Sequence, residues 1–299
     1  MSRQTGGRPL VILAAILSLS VLAGCDTGSQ GTGGSQPAAP QPSADAGPAE
    51  GSENTGTPVE AAPQRPVVAE KLPYAEVDEE LVYGHFVFPA DMVDPLPGVI
   101  VIHEWWGLND EVRAMADRIA AEGYVVLAVD LFGGSSARSP ADARTLMVNV
   151  IENPDLANEN ISQAYQFLVE SGQAPRIGAL GWDFGGGWAL NTAMLFPEDL
   201  DAVVIYYGQV TDNQAQLDPI KAPILGLFGA NDRSIPVPIV RNFERALEIL
   251  DKNYEIIIYP DVDHAFANPA GSNYNAAAAE QAWARVLEFL DRHLSVAVD

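Results

Sequence analysis

The sequence predicts an α/β protein built on a mostly parallel, doubly wound sheet. Short runs rich in Val, Ile and Leu alternate with longer amphipathic segments from about residue 81 to residue 293. Several of those runs are almost wholly apolar, as strands covered on both faces must be. Alternation of this kind places helices on both sides of a parallel sheet.

In chain order the β-rich runs are Leu81 to Phe88, Gly98 to His103, Tyr124 to Asp130, Ile177 to Gly181, Ala202 to Tyr207, Pro223 to Gly229 and Tyr254 to Tyr259. The helical patterns between them are Glu111 to Ala121, Pro140 to Ile151, Leu156 to Gly172, Gly186 to Phe196, Val237 to Leu250 and Ala276 to His293. Ligands in such sheets sit at the carboxyl ends of the strands, so chemistry is sought just after each one.

The N-terminal part has a different character. Arg3 and Arg8 precede fourteen uncharged residues, Leu10 to Ala23. That run falls short of the roughly 20 apolar residues needed to span a bilayer, and it suits a signal peptide. It ends in Leu22-Ala23-Gly24-Cys25, which resembles the bacterial lipobox. The expectation is cleavage after residue 24 and acylation of Cys25, a stable lipid anchor in the cell envelope. Residues 26–66 hold 26 Gly, Pro, Ser, Thr or Gln among 41 positions, too few apolar groups to offset the entropy of ordering. The organisation expected is therefore a lipoprotein signal over 1–24, lipidated Cys25 and a tether over 25–66, and one catalytic-size domain over 67–299.

Composition excludes several functions. With 16 Lys+Arg against 40 Asp+Glu the formal charge is −24, so a nucleic-acid partner is not expected. One cysteine rules out an intramolecular disulfide or a Cys-rich zinc site, and the four histidines include no His-x-x-x-His pair. A metal is not expected. The sequence specifies no oligomeric state.

Three strand ends carry candidate chemistry. After the Ile177 run comes Gly181-Trp182-Asp183-Phe184-Gly185-Gly186, the strand–turn–helix setting of a nucleophile elbow with Asp183 in its centre. The Pro223 run leads to Asp232, and the Tyr254 run to His264. Alone, Asp232 also suits a helix cap near Pro236 and His264 a polar loop. Elbow, acid and His in that order after successive strands is the arrangement of a catalytic triad.

The Gly98 run ends in His103-Glu104-Trp105-Trp106-Gly107-Leu108-Asn109. Together with the G-x-D-x-G-G elbow and His264-Ala265-Phe266, this resembles the dienelactone hydrolase family over roughly Leu81 to Leu294. The resemblance implies an α/β-hydrolase fold without a cap domain, since only fourteen residues separate Gly208 from Pro223. It implies a hydrolase of ester or lactone bonds in a small molecule, with no metal or organic cofactor. It also implies Asp183 as nucleophile, His264 as base, Asp232 as the acid that orients it, and Glu104 as the carboxylate beside the nucleophile. The backbone N–H groups of Phe184 and Trp105 would form the oxyanion hole. Trp105 and Trp106 are candidates for a substrate wall, whereas Trp182 and Trp188 suit plain packing.

The chain departs from the family pattern at its centre. Asp183 stands where the family has Cys, and a carboxylate is already ionised at neutral pH. That residue is compatible with acyl transfer, with opening of an epoxide or carbon–halogen bond, or with a site that binds without reacting. Gly134 and Asn268 stand where family members carry arginines for a substrate carboxylate, and the nearest cation is Arg138.

Overall fold

The computed structural model describes residues 65–295. The expected signal segment, Cys25 and nearly all of the tether therefore lie outside the described residues. Within them, no helix is long and apolar enough to cross a membrane.

Eight strands form one open sheet in the order β1-β2-β4-β3-β5-β6-β7-β8. They are β1 Val67–Val77, β2 Glu80–Pro89, β3 Gly98–Ile102, β4 Val125–Val129, β5 Ile177–Trp182, β6 Ala202–Tyr206, β7 Ile224–Gly229 and β8 Tyr254–Tyr259. From β4 to β8 all neighbours run parallel, while β1 and β2 form an antiparallel hairpin on one edge. Every residue of β3, β4, β5, β6 and β7 is buried, which accounts for their unbroken apolar composition.

Side chains alternate between two cores. Ile100 and Ile102 of β3 point into one, with Ile161 and Leu168 of α3 (Pro154–Glu170) and Phe243 of α6 (Val237–Ile249). Val99 and Val101 point into the other, with Val112 and Ile119 of α1 (Asp110–Ala121) and Phe289 of α7 (Ala276–Leu294). Helix starts follow from side-chain caps: Asn109 accepts from the Val112 N–H, Ser139 from Asp142 at the head of α2 (Pro140–Glu152), and Asn275 from Ala278.

Strand β1 is absent from the sequence-derived elements, and its residues explain why. Val67–Val77 is largely exposed, carries Glu70 and Lys71, and contains Pro73 at a register shift against β2. Such an edge strand has neither the apolar run nor the alternation that marks buried ones. Tyr74 anchors it: the hydroxyl donates to Asn160 Oδ1 at 2.6 Å and accepts from the Asp130 N–H at 3.1 Å. Between β6 and β7 the chain forms only the one-turn helix α5, Gln214–Leu217, so no cap domain stands among the described residues.

Candidate active site

Asp183 lies at the turn between β5 and α4 (Phe184–Leu195), with φ 52° and ψ −114°. A non-glycine residue there is strained, and the surroundings hold it in place. Its N–H donates to Tyr206 O at 2.9 Å, and its carbonyl accepts from Gly187 at 3.2 Å. The neighbouring glycines make the turn sterically feasible. A Cβ on Gly181 would overlap the carbonyl of Gly185, and a Cβ on Gly185 would overlap the carbonyl oxygens of Ile102 and His103. The result projects the carboxylate above the sheet, with the side chain 27% exposed.

His264, in the loop after β8, bridges the two aspartates. Its Nε2 lies 3.1 Å from Asp183 Oδ1 and its Nδ1 2.8 Å from Asp232 Oδ2. The Asp232 side chain is fully buried, and its other oxygen, Oδ1, accepts from the Ser234 N–H at 2.7 Å and the Ile235 N–H at 2.9 Å. One carboxylate thus braces both a loop and an imidazole. It does not cap α6, whose first turn has no side-chain cap. Burial works against a charge on His264, but the hydrogen bonds it donates to the Asp183 and Asp232 carboxylates outweigh it and lift its pKa to about 10.

Glu104 follows β3 and is 8% exposed. Its Oε1 accepts from the Tyr207 hydroxyl at 3.2 Å, and its Oε2 accepts from Asn268 Nδ2 at 2.7 Å. Burial first, and the Asp183 charge second, push its pKa up to about 7, against the pull of those two donors. Tyr207 is itself held far above its ordinary range, chiefly by burial and next by Glu104, so it remains a donor. The cleft on this side of the site is small and open to solvent, with about 30 Å³ of accessible space.

His103 and Tyr207 are contributors that the sequence does not single out, and Asn268 has a role other than the one its position suggests. His103 is fully buried. Its Nδ1–H donates to the Glu104 carbonyl at 2.7 Å, while its Nε2 accepts from the Leu131 N–H at 3.1 Å. Burial holds it neutral, as that tautomer requires. Because C=O and N–H point oppositely across a planar peptide, His103 also sets the direction of the Trp105 N–H. Among the described residues neither that N–H nor the Phe184 N–H has an acceptor. Nothing in the sequence separates these polar residues from ordinary loop side chains.

The aromatic residues divide. Trp105 and Trp106 pack against each other with ring centroids 5.0 Å apart, half-buried, and neither lines the cleft at Glu104. Trp182 lines that cleft while stacking on Tyr206 in the core, and Trp188 is buried. Gly134 and Arg138 are exposed. Among the described residues no group of His, Cys, Asp and Glu has a metal-binding arrangement.

Strand order, elbow and the Asp183–His264–Asp232 relay define an α/β-hydrolase fold with a triad-like constellation. The model of the dienelactone hydrolase family matches residues 83–294, and the chain belongs to that family. It is a hydrolase. It is 33% identical over 219 residues to an Escherichia coli (strain K12) protein named "Putative carboxymethylenebutenolidase", covering 69% of this chain and 80% of that one. Among solved structures it resembles one titled "Putative Dienelactone Hydrolase" from Klebsiella pneumoniae, at 26% identity and TM-score 0.69, over 76% of this chain and 100% of that one. A dienelactone hydrolase-like promiscuous phosphotriesterase from metagenomic libraries shares the fold, at TM-score 0.70 and 22% identity, over 77% of this chain and 99% of the other.

Proposed function

We propose that the protein hydrolyses an ester or lactone of a small molecule, with Asp183 as nucleophile and His264 first as acid and then as base. The observation that carries this reading is the double contact of His264, 3.1 Å from Asp183 and 2.8 Å from Asp232. A hydroxyl or thiol nucleophile must give up a proton, so its histidine starts neutral. Asp183 has no proton to give, and His264 starts charged. The order of proton transfers is therefore inverted.

In the first step an Asp183 oxygen attacks the acyl carbon, and the developing oxyanion lies at the Phe184 and Trp105 N–H groups. The C–O bond to the alcohol breaks, and the imidazolium of His264 gives its proton to the departing alkoxide. Asp183 is now a neutral mixed anhydride. With that charge gone, the pKa of His264 falls, and its free Nε2 takes a proton from water as the water attacks. Acid and carboxylate separate, the second proton leaves to solvent, and His264 is again charged. Asp232 orients the ring throughout through its 2.8 Å contact with Nδ1.

A second reading has its own support. An ionised carboxylate is a natural nucleophile toward sp³ carbon, so an epoxide or carbon–halogen bond would give an alkyl ester of Asp183 that the same His264 hydrolyses. The uncapped site favours the acyl reading, since little closes over a small apolar halide.

Short p-nitrophenyl esters, an epoxide and a haloalkane, offered to the purified protein, decide among these. Ester turnover lost in Asp183→Asn supports the proposal, and intact-mass detection of an acyl adduct in His264→Ala supports the covalent step. Turnover of only the epoxide or halide, with ¹⁸O from water entering Asp183, moves the reading to sp³ carbon. No turnover at all, and none gained in Asp183→Cys or Asp183→Ser, identifies a non-catalytic binding protein of the envelope. The envelope placement rests on residues 1–25. Fatty-acid labelling that disappears in Cys25→Ala supports it, and equal labelling of both proteins refutes it.

A further inference from the structure

We propose that the hollow between the β1–β2 hairpin, the loop after β4 and α2 is a second ligand site, which takes an uncharged, largely apolar molecule carrying a carbonyl or hydroxyl group. It offers about 410 Å³ of accessible space and is partly open to solvent. A cavity of about 150 Å³ suffices for benzene, so this one has room for two fused rings or more. Asp183, His264 and Glu104 do not line it, so binding there is independent of turnover and goes beyond the ester-hydrolase reading. Phe132 is the wall between the two places. It lines the hollow, and its ring centroid lies 4.6 Å from that of His103 and 5.6 Å from that of Phe184.

Helix α2 and the residue that caps its end build one side. Leu146, Asn149, Val150 and Asn153 recur at i, i+3, i+4 and i+7, which sets them on one face, and all four line the hollow. An amphipathic helix ordinarily buries such a face against a neighbour; here it borders open space. Leu131 after β4 and Val82 of β2 add buried apolar surface. The rim is apolar as well, for Leu81 is 55% exposed and Leu156, at the start of α3, 41%. Large aliphatic side chains left in water beside an apolar hollow mark a surface that gains from being covered.

One polar side chain of the lining is buried. Asn160 of α3 is 5% exposed. Its Oδ1 accepts from the Tyr74 hydroxyl at 2.6 Å and its Nδ2 donates to the Asp130 carbonyl at 2.9 Å, which fixes the orientation of the amide. Among the described residues, one N–H of Nδ2 and one acceptor position of Oδ1 are left over. A carbonyl or hydroxyl on the ligand can meet them. Charge does not suit the hollow, since among the described residues no Lys, Arg or His lines it. A carboxylate would lose its water without compensation and be repelled by Asp78 and Glu80 of the hairpin. Those two acids are exposed, so they keep their own water and lend a buried cation little. The ligand that fits is neutral.

Three bicyclic probes of similar shape test this: 2-naphthalenemethanol, 2-naphthoate and 2-naphthylmethylammonium. They are titrated into the purified protein at about pH 7, where the acid and the amine are both charged. Calorimetry reads affinity, and NMR of the side-chain amides reads location. The alcohol is expected to bind about tenfold or more tightly than either ion, and to shift the amide signals of Asn149, Asn153 and Asn160. Leu81→Trp and Asn149→Trp, both at exposed positions, put bulk into the hollow. Each is expected to weaken the alcohol about tenfold or more, with circular dichroism confirming the fold; should neither fold, the charge preference and the amide shifts decide. An ion binding as tightly as the alcohol, an alcohol that shifts only Asn268 beside Glu104, folded Trp variants that bind it unchanged, or no binding of any probe would overturn the proposal. Ester turnover, present or absent, bears on the hydrolase reading alone.

Discussion

Replacing Asp183 with Asn removes one of the two carboxylates that hold the proton on His264, at almost unchanged shape. The contact at stake is 3.1 Å, between side chains 23% and 27% exposed. An opposite charge at such range, partly screened by solvent, moves a titration midpoint by about 1–3 pH units, which corresponds to about 1.4–4 kcal/mol. His264 should therefore titrate near 10 in the wild type and about 1–3 pH units lower in Asp183→Asn. Labelled-imidazole NMR, with ring carbons followed from pH 5 to 11, reads both values. The variant mimics the proposed acyl-enzyme, in which Asp183 would also lack its charge, so the shift measures how far acylation would convert His264 from acid to base. A wild-type midpoint near the ordinary 6.5 of histidine, or no movement on substitution, would refute the inverted order of proton transfers.

Other expectations follow from the same geometry. Glu104 and His264 both have folded-state midpoints above their unfolded values, so each binds its proton more tightly in the native state. Their stabilisation is complete below the unfolded midpoint and is lost as pH rises, between about 4.5 and 7 for Glu104 and between about 6.5 and 10 for His264. Glu104→Gln should accordingly raise stability at pH 8 by about 1–3 kcal/mol, measured by urea unfolding, and a loss of stability would contradict the burial of an ionised Glu104. Tyr74→Phe leaves Asn160 and the Asp130 N–H each short of a partner, and should destabilise by about 1–3 kcal/mol in the same assay. Gly185→Ala should do worse, losing soluble folded protein, because its Cβ would overlap two carbonyl oxygens with no side chain able to yield.

What the sequence made legible depended on burial. The strands of the central sheet, covered on both faces, announced themselves by composition, and their ends shifted by a residue or two where the backbone turns. Tyr207 shows why: it belongs to the apolar run of β6 but takes φ 38°, which ends the strand and swings its hydroxyl toward Glu104. Edge strand β1, with its proline and its charges, gave no such signal. Asp183, Asp232 and His264 were legible because each follows a strand. The partners of Glu104 were not, since Tyr207 and Asn268 reach it across 103 and 164 residues of chain. The N–H groups of Ser234 and Ile235 on Asp232 are local, two and three residues along the chain, so they fit the turn-capping role its position suggests, whereas its imidazole partner lies 32 residues away.

The missing roof over the strand ends bears on the fate of any adduct formed there. With only the single turn of α5 where a lid would be inserted, Asp183 and His264 both reach solvent. An acyl group parked on that carboxylate meets bulk water at once, and water outnumbers every other acceptor. Such a site commits its intermediate to hydrolysis and makes a poor transferase. Acquiring acyl transfer to an alcohol or amine would first require building a wall.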